Sequence, residues 1–469
     1  MGFISYSGRD EQLSPVTDSA PGPWGAPLAD GPLDVTLTLP GSKSLTNREL
    51  VLAALADGPS LLRRPLHSRD SALMIEALRQ LGVGIEERPG EGEFGPDLLV
   101  TPAELRGAIA IDCGLAGTVM RFVPPLAALA LGPVSLDGDP HARARPMRTT
   151  IQALRDLGVE VSDDGRGSLP FTIHATGRAT GGELAIDASA SSQFVSGLLL
   201  AAPRFDAGLT LRHTGERLPS MPHIEMTIHT LAERGVAVDS PEPGVWVVPP
   251  GPIAARDVTI EPDLSNAGPF LAAALVAGGR VAIAGWPRQT TQVGDELPRL
   301  LAGFGATISR ESDGIPDAEG GTDTVTVDGG AGVRGGAALT ASDLDLTIGG
   351  ELAPTVAGLA ALADAPMELS GIGHLRGHET DRLAALADDL TALGGAVTVL
   401  EDGLRITPQP MHAGPWRAFA DHRMATTGAL LGLVIDGVEV DDIASTAKTL
   451  PEFPELWAKL VASSRGATA

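Results

Sequence analysis

The stretch Leu39-Pro40-Gly41-Ser42-Lys43-Ser44-Leu45-Thr46-Asn47-Arg48 sits where an alternating apolar run, Val35 to Leu39, gives way to an apolar helical pattern, Glu49 to Ala56. A helix start offers unpaired N–H groups and partial positive charge. With Lys43, Arg48 and the hydroxyls of Ser42 and Ser44 added, this junction makes a cradle for phosphate or carboxylate. Lysine is otherwise scarce: Lys43, Lys448 and Lys459 are the only three among 34 basic residues. Two of them therefore fall in segments where chemistry is expected.

Similar junctions recur. Ser191, Ser192 and Gln193 open an apolar helix, and Gly349-Gly350-Glu351 precedes another. A serine there caps the helix, and the same N–H groups serve an anion. An isolated arginine usually forms a surface salt bridge. Several arginines at such junctions would instead grip oxyanions through two nitrogens at once.

The bulk composition restricts the partners. The chain has 469 residues and a net charge of -25, which disfavours nucleic acid and anionic membranes. In such a molecule an anion site must concentrate its cations. The length predicts two domains. With 3% aromatics, the core must be built from Ala, Val, Leu and Ile. The single cysteine, Cys113, excludes an intramolecular disulfide framework and fits a reducing, cytoplasmic setting. Neither a secretory signal nor a bilayer-length apolar run is visible. Residues 1–31, rich in Gly, Pro, Ser and Asp, read as a mobile arm.

The elements that must position the polar junctions form a repeat. Short strands begin at Val35–Leu37, Ala108–Ile111, Glu183–Ile186, Asp257–Ile260, Leu344–Ile348 and Trp416–Ala420. Apolar helices follow at Asn47–Ala56, Thr118–Ala130, Gln193–Ala202, Ala267–Ala277, Thr355–Ala363 and Met424–Val434. A second, amphipathic helix often comes next and stops at a glycine, as at Leu81-Gly82 and Leu393-Gly394. Helices apolar all round belong inside and one-sided helices outside. Six such units predict two domains of three units each, an inverse α/β prism with sheets outside and helices inside.

The chain resembles the enolpyruvyl transferases, and within them the branch acting on shikimate 3-phosphate. Seven motifs in family order carry the resemblance. They are Gly41–Arg48, Ala116-Gly117-Thr118-Val119-Met120-Arg121, Arg145-Pro146-Met147, Ser191-Ser192-Gln193-Phe194, Glu379-Thr380-Asp381-Arg382-Leu383, Asp421-His422-Arg423-Met424-Ala425 and Thr446-Ala447-Lys448-Thr449. The resemblance implies six βαβαββ units, with one domain over residues 42–258 and the other over 32–41 plus 259–469. The implied reaction transfers the enolpyruvyl group of phosphoenolpyruvate to the 5-hydroxyl of shikimate 3-phosphate and releases phosphate. It implies no metal or other cofactor, a monomer, and two small anionic substrates.

By the same resemblance, phosphoenolpyruvate falls to Lys43, Gly117, Arg145, Gln193, Arg382, Arg423 and Lys448. Shikimate 3-phosphate falls to Lys43, Ser44, Arg48, Ser191, Ser192, Gln193, Ser220, Glu351 and His378. Glu351 is the expected base, and Glu379 the expected acid with Lys43 as a competing or cooperating donor. An alternative for Glu379 is an ion pair with Arg382, three residues on. Glyphosate, which mimics phosphoenolpyruvate, is expected to fit beside Gly117. The chain departs from the commoner pattern at His378, Glu351, His374 and His223, where Lys, Asp, Asn and Tyr are frequent. Leu115 and Phe122 replace a frequent Asn and Pro. The nearest alternative is the sister transferase acting on UDP-N-acetylglucosamine, for which Cys113 would have to be the reactive acid. A scaffold without catalysis and a nucleic-acid end-processing enzyme are more distant alternatives.

Overall fold

A computed structural model describes residues 22–317 and 320–464 of the protein. Its strands form six separate sheets, four of four strands and two of three. Each sheet has one parallel pair, and its other pairings are antiparallel. A parallel pair needs a long crossover between its strands. In four sheets that crossover contains one buried helix. Gly117–Ala127 lies between Ile109–Asp112 and Leu131–Asp137, and Gln193–Ala201 between Gly182–Ile186 and Leu209–His213. Ala353–Ala361 lies between Leu344–Asp345 and Met367–Ser370, and His422–Gly432 between Gly414–Trp416 and Val438–Val440.

The other two sheets have exchanged strands. Leu33–Leu37 leads into helix Lys43–Ala54 and strand Ser60–Arg63, yet it pairs with Gly279–Pro287. Ser60–Arg63 pairs with Val258–Thr259, which leads into helix Ala267–Ala277. The chain therefore passes between the two sheet sets twice, and the passages touch. Gly41 bridges Pro262, the Ser42 amide donates to the Glu261 carbonyl at 2.7 Å, and Asp263 donates to Pro40 at 2.9 Å. A Cβ on Gly41 would lie 2.3 Å from the Arg64 carbonyl oxygen, so only glycine fits this contact.

Two large apolar clusters fill the interior. One runs from Leu50 to Ile253, and the other combines Ala26–Leu39 with Leu264–Val461. The expected interior helices are buried along their lengths, and Ala267–Ala277 is buried at every position. Tight Ala and Gly surfaces let these helices approach closely. The few aromatics are grouped. Phe453 stacks on Trp457 at 5.2 Å and lies 5.5 Å from Phe270, fixing helix Phe453–Ser463 to the second cluster.

Several boundaries differ from expectation. Four interior helices start earlier, at Lys43, Gly117, Ala353 and His422. The Asp421 carboxylate caps the Arg423 amide, so polar residues enter the first turn instead of ending the preceding loop. The last expected strand start is shifted to Gly414–Trp416. The arm expected over residues 1–31 is corrected over its later part. Trp24 and Gly25 pair with Val440 and Glu439, and Ala26 packs where Gly432 leaves room. Residues 1–21 lie outside the described residues. No helix among the described residues is long and apolar enough to cross a membrane.

Arg234 and Glu49 form a buried pair in the first cluster. Arg234 Nη2 and Nε donate to Glu49 Oε2 at 2.7 and 2.9 Å, and Nη1 reaches Ser60 and the Ala254 carbonyl. Burial raises the Glu49 carboxyl while Arg234 opposes the shift. Arg234→Met would strand that carboxyl, and a loss of about 3–5 kcal/mol is expected. Urea unfolding at pH 7 measures it, and an unchanged midpoint would contradict the assignment.

Candidate active site

The interior helices aim their N-terminal ends at one cavity. Its wall includes Ser42, Lys43 and Ser44, Gly117 and Thr118, and Ser192 and Gln193. Asn266, Glu351, and His422 with Arg423 complete it from the second cluster. These groups belong to the starts of six helices or their immediate leads. Unpaired N–H groups and half-charges therefore sum at one place, which makes the cavity electropositive in an acidic molecule.

Side chains add to that field. Arg48, Arg145, Arg382, His378, Glu379, Ser191 and Ser220 also border the cavity. Of the expected site residues, Lys448 alone is not on the wall. It is buried behind Glu379, with Nζ 2.5 Å from Glu379 Oε1. Segments from residue 43 to residue 448 thus meet.

The cations differ in how they are neutralised. Arg382 is fully engaged, with Nε 2.7 Å from Asp421 Oδ2 and Nη2 3.0 Å from Glu379 Oε2. Lys43 lies 3.5 Å from the buried Asp70, and its amide donates to Asp263 at 3.1 Å. Arg423 Nη1 donates to the Ser265 carbonyl at 2.8 Å, while its Nη2 stays 4.0 Å from Glu351. Arg48 is buried and holds Thr227, the Ser44 carbonyl and the His223 carbonyl. Burial lowers its guanidinium to about 9, with Glu351 opposing, so it stays charged at neutral pH.

Arg145 and Arg121 have no carboxylate within ion-pair distance among the described residues. Arg145 makes one long bond, 3.4 Å to the Leu115 carbonyl, and its Nε is buried without a partner. Arg121 contacts Met120 Sδ at 3.4 Å and lies over the Phe194 ring at 5.7 Å. Burial and then the neighbouring Arg145 hold its guanidinium well below its ordinary range. The Gln193 amide oxygen nearby is also unpartnered. The unmet guanidinium groups beside Gly117 mark the place for an anion, and the Gln193 oxygen is free to accept from a donor on it.

The carboxylates are held ionised. Burial alone would raise Glu379, but Lys448, Arg382 and Arg145 bring it well below the usual range. Burial is likewise overcome at Glu351, where His223, Arg423 and a 2.5 Å bond from the Ser265 hydroxyl lower the carboxyl. The ion-pair alternative for Glu379 is therefore real in this state, and the residue holds no proton there. Cys113 is fully buried, and burial pushes its thiol up to about 12. It lacks the thiolate character that the sister-transferase alternative requires.

Sequence reasoning missed Arg121, Asp263, Ser265, Asn266 and Asp421 as site-building residues. Arg121 and Asp421 stand inside the quoted motifs, so their positions were available. Asp263 and Asn266 had no signal beyond following a short strand.

His422 supplies a pH test. Burial, then Arg423 and Lys43, keep its ring neutral, well below the ordinary imidazole range. A lowered folded-state value means that the unfolded chain binds the extra proton below about pH 6.5, so stability falls as pH falls. Each such histidine contributes a slope of about 1.4 kcal/mol per pH unit. His422→Gln should flatten the fall in urea midpoint between about pH 6.5 and 5, and an unaltered slope would refute this origin.

Comparison with known proteins agrees with this geometry. The family model for EPSP synthase (3-phosphoshikimate 1-carboxyvinyltransferase) matches residues 29–457. A curated 3-phosphoshikimate 1-carboxyvinyltransferase from Kocuria rhizophila is 56% identical over 446 residues, covering 94% of this chain and 97% of that protein. A solved EPSP synthase from Acinetobacter baumannii superposes with a TM-score of 0.76 at 22% identity, covering 94% of this chain and 98% of that one. The enolpyruvyl transferase NikO from Streptomyces tendae gives 0.69 at 20% identity, covering 92% and 96%. These two structures share the mixed α/β fold. By the extent of the family match and the identity to its curated relative, this chain belongs to the EPSP synthase family.

Proposed function

We propose that the protein transfers the enolpyruvyl group of phosphoenolpyruvate to the 5-hydroxyl of shikimate 3-phosphate, releasing phosphate. One observation carries this reading. Lys43, Arg145, Arg382 and Arg423 line a single cavity fed by six helix starts, with Lys448 behind Glu379, in a chain of net charge -25. Two polyanionic substrates need that concentration of positive charge, and little else in the composition favours anions.

Phosphoenolpyruvate binds to Lys43, Arg145, Gln193, Arg382, Arg423 and Lys448, with the Gly117 backbone against it. Shikimate 3-phosphate binds to Lys43, Ser44, Arg48, Ser191, Ser192, Gln193, Ser220, Glu351 and His378. Glu351 receives the hydrogen bond of the attacking hydroxyl. Lys43 and Glu379 serve the proton that C3 gains. Glu379 is held ionised by cations that an incoming carboxylate and phosphate also attract. Binding of those anions raises its proton affinity, so it becomes an acid only in the loaded site. Two domains, 42–258 and 32–41 plus 259–469, would close on the substrates as an inverse prism of six βαβαββ units. Two apolar clusters and six sheets, each with one parallel pair, support that arrangement.

Mixing the protein with both substrates should release phosphate, and omission of either should abolish release. Lys43→Met should lower kcat/KM by at least about 100-fold, since one preorganised cation is lost. Gly117→Ala tests the phosphoenolpyruvate site. Its new Cβ would stand 3.0 Å from Gln193 Oε1 and 3.4 Å from both terminal nitrogens of Arg145. Glyphosate, the longer molecule, should then lose about tenfold or more in affinity, roughly 1.4 kcal/mol. Unchanged inhibition would remove Gly117 from the site.

A further inference from the structure

Four of the ten histidines border the cavity: His223, His374, His378 and His422. Three of them face cations or lack polar partners. His378 Nδ1 lies 3.4 Å from Arg382 Nη1, and His374 Nε2 and His422 Nδ1 are buried without hydrogen-bond partners. His378 Nδ1 and His422 Nδ1 also lie 4.0 and 3.6 Å from carboxylates, Glu379 and Asp421, but Arg382 bonds both of those, whereas His223 Nε2 lies 3.4 Å from Glu351 Oε2. His223 and Glu351 adjoin different apolar clusters, through Ile224 and Leu352, so their contact spans the cavity.

Both ends of this contact are fixed. Ser220 adopts φ +55° just before helix Met221–Glu233 and turns the chain so that His223 enters its first turn. The His223 carbonyl accepts from Arg48 Nη2 at 2.8 Å, Thr227 Oγ1 at 3.0 Å and Ser196 Oγ at 3.3 Å. Its amide donates to the Ser220 carbonyl at 3.0 Å. Glu351 stands on the tight turn Gly350–Leu352, with Oε1 held by Ser265. His223 Nδ1 has no hydrogen-bond partner among the described residues and is not sealed from the cavity, and 21% of the side chain is open.

We infer that Glu351 and His223 act as one proton-accepting unit, in which the attacking hydroxyl hydrogen-bonds to Glu351 and its proton comes to rest on His223 Nε2. The inference rests on the enolpyruvyl-transfer reading. The hydroxyl O–H bond breaks as its oxygen bonds to C2. With the ring neutral and its hydrogen on Nδ1, the proton crosses the carboxylate to the Nε2 lone pair, leaving imidazolium beside a carboxylate anion, while C3 takes a separate proton from the Lys43 side. Nothing is oxidised or reduced.

A carboxylate held ionised by Arg423 and the Ser265 hydroxyl is a weak terminal base. An imidazole is the side chain suited to store a proton near neutral pH. Beyond Glu351, the charged groups facing the pair are Arg48 from helix Lys43–Ala54, Arg382 from helix Arg382–Ala392, Arg423 from helix His422–Gly432, and Asp263 from the crossing segment. Those cations keep Glu351 anionic. Because the partners adjoin opposite clusters, the base exists only where the two halves meet.

The test is kcat against pH for purified full-length protein that releases phosphate from both substrates. His223→Gln should lower kcat by about 100-fold, remove the limb on which activity rises with pH, and change KM for shikimate 3-phosphate little. Glu351→Gln should lower kcat comparably. The double variant should be no worse than the poorer single one, since the pair works as a unit. His223→Ala should regain activity with added imidazole. Thermal melts confirm folding, and His223→Asn replaces any variant that fails to fold. Wild-type kcat and limb in His223→Gln, a KM effect alone, or multiplied losses in the double variant would overturn the inference. A wild-type protein that releases no phosphate would instead overturn the underlying function.

Discussion

Mutual repulsion among buried cations is the constraint on which the rest of this structure depends. Lys43, Arg48, Arg121, Arg145, Arg382, Arg423 and Lys448 crowd a space where water screens little. The protein balances them in part. Asp421 takes Arg382, Glu379 takes Lys448 and Arg382, and Asp70 takes Lys43. The balance is left incomplete around Gly117, where Arg121 and Arg145 have no acidic partner in contact among the described residues. The missing negative charge is what a substrate supplies. The acidic exterior adds selectivity, because anions are attracted only where helix starts and side chains outweigh it.

The exchanged strands explain how such a site is held together. Ser42 and Lys43 begin a helix of the first cluster, yet their amides bond to Glu261 and Asp263 on the returning chain. The cradle for one anion is thus attached to the seam between the two halves. A shift along that seam would move Lys43 relative to Arg423 and Glu351, which follow helices of the second cluster. The His223–Glu351 contact bridges the same two bodies farther along the cavity. Direct polar contacts therefore tie the cavity to the arrangement of the halves at both places.

Buried carboxylates illustrate how environment separates chemically equal groups. Glu49 and Glu379 both meet arginine. Glu49 has Arg234 as its bonded ion partner and is raised by burial, while Glu379 has several cations and is held ionised. The first is a structural pair deep in a cluster. The second lies on a cavity wall, where incoming anions alter its surroundings. Position relative to the cavity, more than residue type, decides which carboxylate can change its protonation during a reaction.

The sequence by itself determined the interior helices, because runs such as Ala267–Ala277 are apolar on every side and can be stable only when enclosed. It also marked the anion-binding character of Gly41–Arg48, since small, hydroxyl and basic residues at a helix start have few other uses together. What it could not determine was pairing at a distance. Leu33–Leu37 pairs with Gly279–Pro287 and not with the strand that follows it, because register between remote strands is set by packing. Asp263 became part of the site only through that exchange, and Trp24 became part of a sheet through space left by Gly432. Protonation followed the same rule: burial and neighbouring charges made Glu379 an anion and His422 a neutral ring, and both arise only when distant segments meet.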